Sequence, residues 1–126
     1  MKVRYNLVYY NVDITFKVKK MEEIQEITIV MEFKKPIDFL TYQLKQQFYF
    51  LSENELKMLA IIYLKGLTAE VRKGIVSMGV FKSKQSVENH LSKFRALGIM
   101  EGDNVKLKYP LIKANKAKLN INVVLK

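Results

Sequence analysis

The sequence predicts an α+β fold in which a small antiparallel β-sheet and one helix come first, and three helices, a β-hairpin and a final strand follow. Apolar and polar residues alternate in residues 1–35 and again after residue 98, which is typical of strands. Between these stretches apolar residues recur every three or four positions, which is typical of helices. The 126 residues, 49% hydrophobic and 27% charged, suit one globular domain or a small domain with an appendage.

Three alternating runs predict the N-terminal sheet. Their apolar members are Val3, Tyr5, Leu7 and Tyr9 in the first run, Val12, Ile14, Phe16 and Val18 in the second, and Ile27, Ile29, Met31 and Phe33 in the third. The alternation changes phase after the first run, so we expect a turn or bulge near Tyr10-Asn11.

A helix is predicted to begin at Pro36, because proline is well tolerated at a first helical position. Its apolar stripe consists of Ile37, Leu40, Leu44, Phe48 and Leu51. The stretch Phe-Tyr-Phe at 48–50 suits a strand equally well, which leaves the end of this helix open. Residues 1–50 are thus interpreted as a β-rich region with one helix.

Three capped helices are predicted next. Ser52 and Glu55 have the spacing of a capping box, Leu51 and Leu56 that of a hydrophobic staple, and Gly66 ends this helix. Thr68 and Ser83 are the expected N-caps of the two helices that follow. The predicted buried stripes are Val71, Ile75 and Met78 in the first of these, ending at Gly79, and Val87, Leu91, Phe94 and Leu97 in the second, ending at Gly98.

The residues after Gly98 predict a hairpin and a last strand. A turn-forming tetrad at 101–104 separates Ile99-Met100 from a run with Val105, Leu107 and Tyr109, which Pro110 ends. Residues 111–126 are interpreted as a basic linker and a strand, whose apolar positions are Leu119, Ile121, Val123 and Leu125.

The order of three helices and a hairpin in residues 51–110 resembles the winged helix-turn-helix family. The most specific stretch is TAEVRKGIVSMGVFKSKQSVENHLSKFRALGIM, residues 68–100. Within it, SVENHLSKFRALGI is also similar to the recognition helix of LuxR-type regulators, which lack a wing, so the alternation after Gly98 favours the winged branch. The resemblance implies a bacterial, phage or mobile-element transcriptional regulator that binds double-stranded DNA without enzymatic activity, through recognition helix 84–97.

Two sets of candidate contacts follow from placing that helix in the major groove. The residues near the start of the helix are expected to contact base edges with their amides and charges. These candidates are Lys84, Gln85, Glu88 and Asn89. Contacts to phosphate are expected from Thr68, Lys82, Lys93, Arg95, Lys106 and Lys108. The alternative for each of these residues is an ordinary solvated surface position.

The net charge of +10 favours an anionic partner such as nucleic acid. Residues 1–50 contain eight cationic and six acidic side chains, whereas residues 51–126 contain fourteen and six. The excess is therefore expected on the half that resembles the DNA-binding family.

Several classes are not supported by the composition. There is no cysteine, and the single histidine, His90, is interpreted as a residue at the edge of a buried stripe, so no metal site or cofactor is expected. No nucleophile–base signature or phosphate-binding glycine loop is present, so we expect no enzyme. The longest apolar run has seven residues, Met58–Leu64, and the N-terminus lacks a signal-peptide pattern, which predicts a cytoplasmic protein without membrane partners.

The aromatic-rich N-terminal half leaves other roles open. An edge strand there, or the strand at 119–125, could pair with its counterpart in a second subunit, which predicts a homodimer or a partner-docking element. One alternative function is an assembly protein, for example of a phage particle, that uses the helical domain for protein contacts. Another is binding of single-stranded nucleic acid by aromatic residues of the sheet.

Overall fold

The computed structural model describes residues 1–7, 10–19 and 23–125. Within them the fold is α+β, as predicted, with four helices, a four-stranded antiparallel sheet and a two-stranded sheet. The elements in chain order are β1 (Lys2–Asn6), β2 (Tyr10–Lys19), β3 (Glu23–Phe33), α1 (Pro36–Gln47), α2 (Glu53–Lys65), α3 (Ala69–Ser77), α4 (Lys84–Ala96), β4 (Met100–Glu101), β5 (Asn104–Val105) and β6 (Ala117–Val124). No helix in this part of the chain is long and apolar enough to cross a membrane.

The chain forms two compact units. The sheet unit comprises residues 1–39 and 113–126, and the helical unit comprises residues 40–112. The last strand, β6, therefore belongs with the N-terminal strands, where it pairs antiparallel with β3. The unit boundaries lie about ten residues before 50/51 and close to 110/111, the two positions suggested by the sequence.

The sheet has one apolar and one polar face. Its strand order is β1-β2-β3-β6, and neighbouring strands place like residues side by side, as in the row Val3, Ile14, Ile29 and Ile121. Alternate rows point to opposite faces. The face that we call the apolar face consists of Val3, Tyr5, Tyr10, Val12, Ile14, Phe16, Val18, Ile24, Ile27, Ile29, Met31, Phe33, Ala117, Leu119, Ile121 and Val123. The opposite rows carry Lys2, Arg4, Asp13, Glu32 and Lys118 among others.

A bulge in β3 preserves this separation. Lys17 pairs with Glu26, but Val18 pairs with Ile24, so Gln25 is an extra residue in β3. Without it, strict alternation would turn Ile24 to the face opposite Ile27. The bulge instead places Ile24 beside Val18 on the apolar face.

The turn or bulge predicted near Tyr10-Asn11 is a turn that lies slightly earlier, because both residues already belong to β2. Asn11 pairs with Asn6 of β1, and Tyr10 pairs with Phe33 of β3, with the two rings 5.4 Å apart. The chain instead reverses between Asn6 and Asn11, where the Leu7 N–H donates to the Tyr10 carbonyl at 3.0 Å. Tyr9, which we expected at the end of the first strand, lies outside the described residues.

The first helix begins at Pro36, as predicted, and ends at Gln47. Residues 48–50 form a turn rather than a strand, since the Phe48 N–H still donates to the Leu44 carbonyl and the Leu51 N–H donates to that of Phe48. Phe48 and Leu51 are nevertheless buried, so the apolar stripe continues past the end of the helix.

The predicted capping box of α2 is confirmed. The Glu55 N–H donates to Ser52 Oγ at 3.2 Å, and the Ser52 N–H donates to Glu55 Oε1 at 3.0 Å. Leu51 and Leu56, the expected staple pair, are both buried. The helix is followed by Gly66, whose positive φ of 83° favours glycine.

The caps of α3 and α4 are also confirmed, but the last residue of each predicted stripe is wrong. Met78 and Leu97 are 58% and 53% exposed. Both helices end in a Schellman motif: after a glycine with φ of 75°, the N–H of Val80 donates to the Ile75 carbonyl, and that of Ile99 to the Phe94 carbonyl. The reversal brings Val80 and Ile99 into the buried positions that simple periodicity assigns to Met78 and Leu97.

The predicted hairpin exists but is shorter than expected. Its strands have two residues each, and pairing stops after the Lys106 N–H donates to the Ile99 carbonyl at 2.7 Å. Leu107 and Tyr109, predicted on this strand, lie outside it.

Two glutamines of α1 account for the early end of the hairpin. Buried Gln47 accepts from the Lys108 N–H and donates to the Tyr109 carbonyl, both at 2.9 Å. Gln43 forms the same two bonds with the backbone of Ile112, at 2.8 and 2.9 Å. Side chains one helical turn apart thus replace a strand as partners of this segment.

Candidate nucleic-acid interface

Helix α4 has one fully buried side and one polar, exposed side. Val87, Leu91 and Phe94 have no solvent exposure. Gln85, Asn89 and Ser92 lie on the other side and are exposed, as the helical periodicity predicts. Burial of one side fixes the rotation of the helix about its axis, and therefore fixes which polar residues are accessible to a partner.

Two of the predicted base-reading residues form a pair. Gln85 Nε2 donates to Asn89 Oδ1 at 2.9 Å, an i, i+4 contact on the helix surface. The pair leaves an acceptor, Gln85 Oε1, and a donor, Asn89 Nδ2, with no hydrogen bond to any other described residue. Adenine presents an N6 donor and an N7 acceptor in the major groove, so the paired amides match it as a unit.

Glu88, a third base-reading candidate, contacts α3 instead. Its Oε1 lies 3.3 Å from Nε of Arg72. Because the Nε atom is buried and not oriented for a hydrogen bond, the contact is mainly electrostatic. The Arg72–Glu88 contact links the two helices and directs the Glu88 carboxylate towards α3.

A basic groove of about 390 Å³ lies between α3 and the start of α4. Its lining includes Ala69, Arg72, Lys73, Val76, Ser77 and Lys84. Lys84 is a predicted candidate, whereas Arg72 and Lys73 were not predicted. The signal available in the sequence was the spacing of Ala69, Arg72/Lys73 and Val76 at i, i+3/i+4 and i+7, which forms a second face on α3 beside the buried one.

Some of the cations predicted to contact phosphate are bonded to other groups of the protein, and others are not. Lys93 Nζ binds Oε2 of buried Glu55 at 2.7 Å. Arg95 donates to the Gly102 carbonyl at 3.0 Å and lies 3.3 Å from Asp103, so it holds the hairpin turn. Lys82 is exposed and forms no ion pair with the part of the chain that the structure describes. The same is true of Lys84, predicted to read bases, and of Lys73, which was not predicted.

The remaining phosphate candidates lie at three separate places. The Thr68 hydroxyl accepts from the Val71 N–H at 3.1 Å as the cap of α3. Lys106 is exposed directly after β5. Lys108, expected on the wing, lies beyond the hairpin, where its backbone is bound by Gln47.

Glu55 is the buried charge that fixes Lys93. Burial raises the pKa of this carboxyl. The hydrogen bonds that it accepts from Lys93 and Ser52 together lower the pKa by more than burial raises it, so the net pKa lies below its ordinary value. Glu55 is therefore ionised at neutral pH. Its charge holds the Lys93 ammonium against α2, while half of the lysine side chain stays exposed.

His90 lies at the edge of the buried stripe, as the sequence suggests. Its Nδ1 is 2.7 Å from the Ser86 carbonyl, and its ring stacks on Phe81 with centroids 4.1 Å apart. Nε2 lies 4.0 Å from Glu55 Oε2. Among residues 1–7, 10–19 and 23–125, no three His, Cys, Asp or Glu side chains are grouped as a metal site.

The structural division changes how the net charge is distributed. Each unit contains eleven cationic and six acidic side chains, because the lysines of 113–126 belong to the sheet unit. The cationic character of the candidate interface is thus local, and it comes from Lys73, Lys82 and Lys84 around the groove.

Comparisons with protein-family models, with curated proteins and with solved structures found no match to this chain.

Proposed function

We propose that this chain is a sequence-specific double-stranded-DNA-binding protein, a transcriptional regulator of bacterial, phage or mobile-element type. Residues 51–110 act as a winged helix-turn-helix, with α4 as the recognition helix and the β4–β5 hairpin as a short wing. The three capped helices and the hairpin that follows them support this assignment. The role is non-enzymatic.

The observation that carries the proposal is the combination of the Gln85–Asn89 pair with the cations beside it. Base recognition requires directed donors and acceptors on an exposed helix face, and affinity requires cations free to replace counterions. The pair supplies the first, with its 2.9 Å bond fixing both amides. Lys73, Lys82 and Lys84 supply the second.

In the proposed complex the start of α4 enters the major groove. Gln85 and Asn89 contact a base edge, preferentially that of adenine, while Lys73 and Lys84 bind the phosphates on either side of the DNA major groove. Lys82 and the wing residue Lys106 contact phosphates to either side. Lys93 and Arg95 act indirectly, since their bonds to Glu55 and Gly102 hold α4 and the hairpin in place.

Selection from a random duplex library, followed by fluorescence anisotropy at several salt concentrations, tests the proposal. We expect an enriched sequence and a log–log salt slope of about −3 to −4, because three to four phosphate contacts release counterions. No enrichment, together with no binding at low salt, would refute the proposal.

Two classes of variant separate base reading from phosphate binding. Gln85→Ala or Asn89→Ala should lower the preference for the selected site by about 1–3 kcal/mol and leave nonspecific binding nearly unchanged. Lys84→Ala should weaken binding to all duplexes and reduce the salt slope by about one. Lys65→Ala, which removes a charge from the end of α2, is the matched control and should change neither quantity.

The alternative role in a protein assembly is favoured by a different observation, the exposure of apolar side chains on the sheet, among them Val18, Ile24 and Val123. Enrichment in the DNA selection separates the two roles. Single-stranded nucleic acid is less favoured, because the sheet's aromatic residues and its cations lie on opposite faces. Stacking with backbone neutralisation requires both on one face.

A further inference from the structure

The apolar face of the sheet is covered at one end only. Met31 and Phe33 are buried, and the ring of Phe33 packs against that of Phe39, 5.1 Å away, within the sheet unit. In the row of Met31, Tyr5 on the edge strand β1 is 51% exposed, and towards the other end of the sheet exposure is 39–48% at Ile24, Ile121, Val123 and Val18. We call this part the open half of the apolar face; it consists of Val3, Ile14, Phe16, Val18, Ile24, Ile27, Ile29, Ile121 and Val123.

The open half contains no charged or hydrogen-bonding side chain. Such a surface is unusual for a sheet that faces water, where polar residues normally occupy the solvent side. Here the polar side already exists: Lys2, Arg4 and Lys17 lie in rows that point to the other face. The bulge at Gln25, which keeps Ile24 on the apolar face, extends the patch to the end of the sheet.

We propose that the open half of the apolar face packs face to face on the same surface of a second copy of this chain. Two sheets joined in this way form the two-layer sandwich in which apolar faces are normally buried, about 10 Å apart. A twofold axis makes the surface its own partner, so every apolar row meets an apolar row.

The size of the patch fits a small dimer interface. The nine residues of the open half form three rows of four, three and two. With strands about 4.8 Å apart and rows about 6.7 Å apart, they span about 300 Å² in projection on each copy. Protruding side chains make the accessible area larger than the projection, but the two copies together still bury less than the ~1,200 Å² of a standard interface, which is the size range of weak or transient dimers.

The charge distribution also suits a second copy as the occupant. The sheet unit has an excess of cations, yet none of its described charged side chains lies in the open half, and the one charge at its edge is the Met1 ammonium, 3.3 Å from the Phe16 carbonyl. In a face-to-face dimer the lysines and arginines lie on the two outer faces, separated by both sheets and by more than the Debye length of about 8 Å at physiological salt. Repulsion between identical cationic chains therefore does not prevent this arrangement.

Sedimentation equilibrium of the full chain, without DNA, tests the proposal. Since one chain has a mass of 14.8 kDa, a particle of twice that mass is expected at tens of micromolar protein. A monomer throughout that range, or polydisperse aggregates, would overturn it. Binding of lipid vesicles by a chain that stays monomeric would assign the patch to a membrane surface instead.

Neighbouring valines in β6 provide a matched pair of variants. Val123 lies in the open half and pairs with Ile27, whereas Val124 pairs with Glu26 on the polar face. Val123→Lys should raise the dimer dissociation constant at least about tenfold, because an unpaired charge would be buried. Val124→Lys should leave it unchanged. Circular dichroism checks that both variants fold, and Val18→Lys replaces Val123→Lys if that variant does not fold.

The pair also distinguishes face packing from pairing of edge strands. Strand β6 is an edge of the sheet, so two copies could in principle join through its backbone. In that case both lysine variants would remain dimeric, and packing through the apolar face would be refuted. Dissociation of both variants to the same degree would refute it as well.

Discussion

The helical unit encloses its apolar side chains, whereas the sheet unit leaves many of them exposed. In the helical unit Leu44, Leu59 and Phe94 have no exposure, and α2 is buried along most of its length. In the described part of the sheet unit, the buried apolar residues are Met31, Phe33 and Phe39. A sheet needs a second layer to bury a face, while a cluster of helices and a hairpin supplies its own. The helical unit thus encloses a core of its own, whereas the sheet leaves much of its apolar face exposed.

The largest expected effect comes from Leu91 of α4, and Leu97, the residue directly after that helix, is its control. Leu91→Ala should lower the free energy of unfolding by about 2–5 kcal/mol, because a fully buried side chain leaves a cavity. Leu97→Ala, at a position that is 53% exposed, should change it by less than about 1 kcal/mol. Urea unfolding measures both, and equal losses would show that Leu97 belongs to the core after all.

Gln47 is expected to contribute next. Gln47→Ala removes the partners of the Lys108 N–H and the Tyr109 carbonyl and should cost about 2 kcal/mol. The neighbouring residue Gln46 is exposed, so Gln46→Ala is the matched control and should be nearly neutral. Similar losses of unfolding free energy in the two variants would contradict the inference that the hydrogen bonds of Gln47 connect α1 to the segment after the hairpin.

Substituting one isoleucine in each unit allows the two units to be compared by their effect on the free energy of unfolding. Ile75, in the helical unit, is fully buried, and Ile29, in the sheet, is half-buried. We expect Ile29→Ala to cost about 1–2 kcal/mol, less than Ile75→Ala, because less apolar surface is lost from contact. The unfolding is then repeated at several protein concentrations. If the loss of unfolding free energy grows with concentration for Ile29→Ala but not for Ile75→Ala, the layer that covers the apolar face is a second copy of the chain.

The smallest effect is a pH dependence due to Glu55. Its pKa is lowered from the ordinary 4.5, so its bonds contribute fully above that value and are lost as the pH falls through the lowered pKa. Wild type should therefore exceed Glu55→Gln in stability by about 1 kcal/mol at pH 7, with the difference vanishing in acid. Thermal unfolding between pH 3 and pH 7 measures this.

Local features were predicted from the sequence because local contacts determine them. The N-caps Ser52, Thr68 and Ser83 and the helix-ending Gly66 depend only on residues within one turn. Met78 and Leu97 were misassigned because a Schellman motif reverses the chain where periodicity assumes that the helix continues.

The remaining features depend on residues distant in sequence. The hairpin is short because Gln43 and Gln47 bind a segment more than sixty residues away. The basic groove combines Arg72 and Lys73 with Lys84 of the next helix, a combination that neither helix indicates by itself. The last strand could be recognised, but its pairing with β3 is a contact between opposite ends of the chain.

That pairing has a consequence for the order of folding. Residue Ile121 of β6 meets Ile29 of β3 across more than ninety positions, a separation that makes loop closure slow and entropically unfavourable for an unfolded chain. The Gln43–Ile112 hydrogen bonds, at 2.8 and 2.9 Å, join the two ends of the helical unit. Once that unit has folded, the intervening chain is already closed, and only a few residues on each side remain free. The helical unit therefore serves as the folded connection that allows the sheet to acquire its fourth strand.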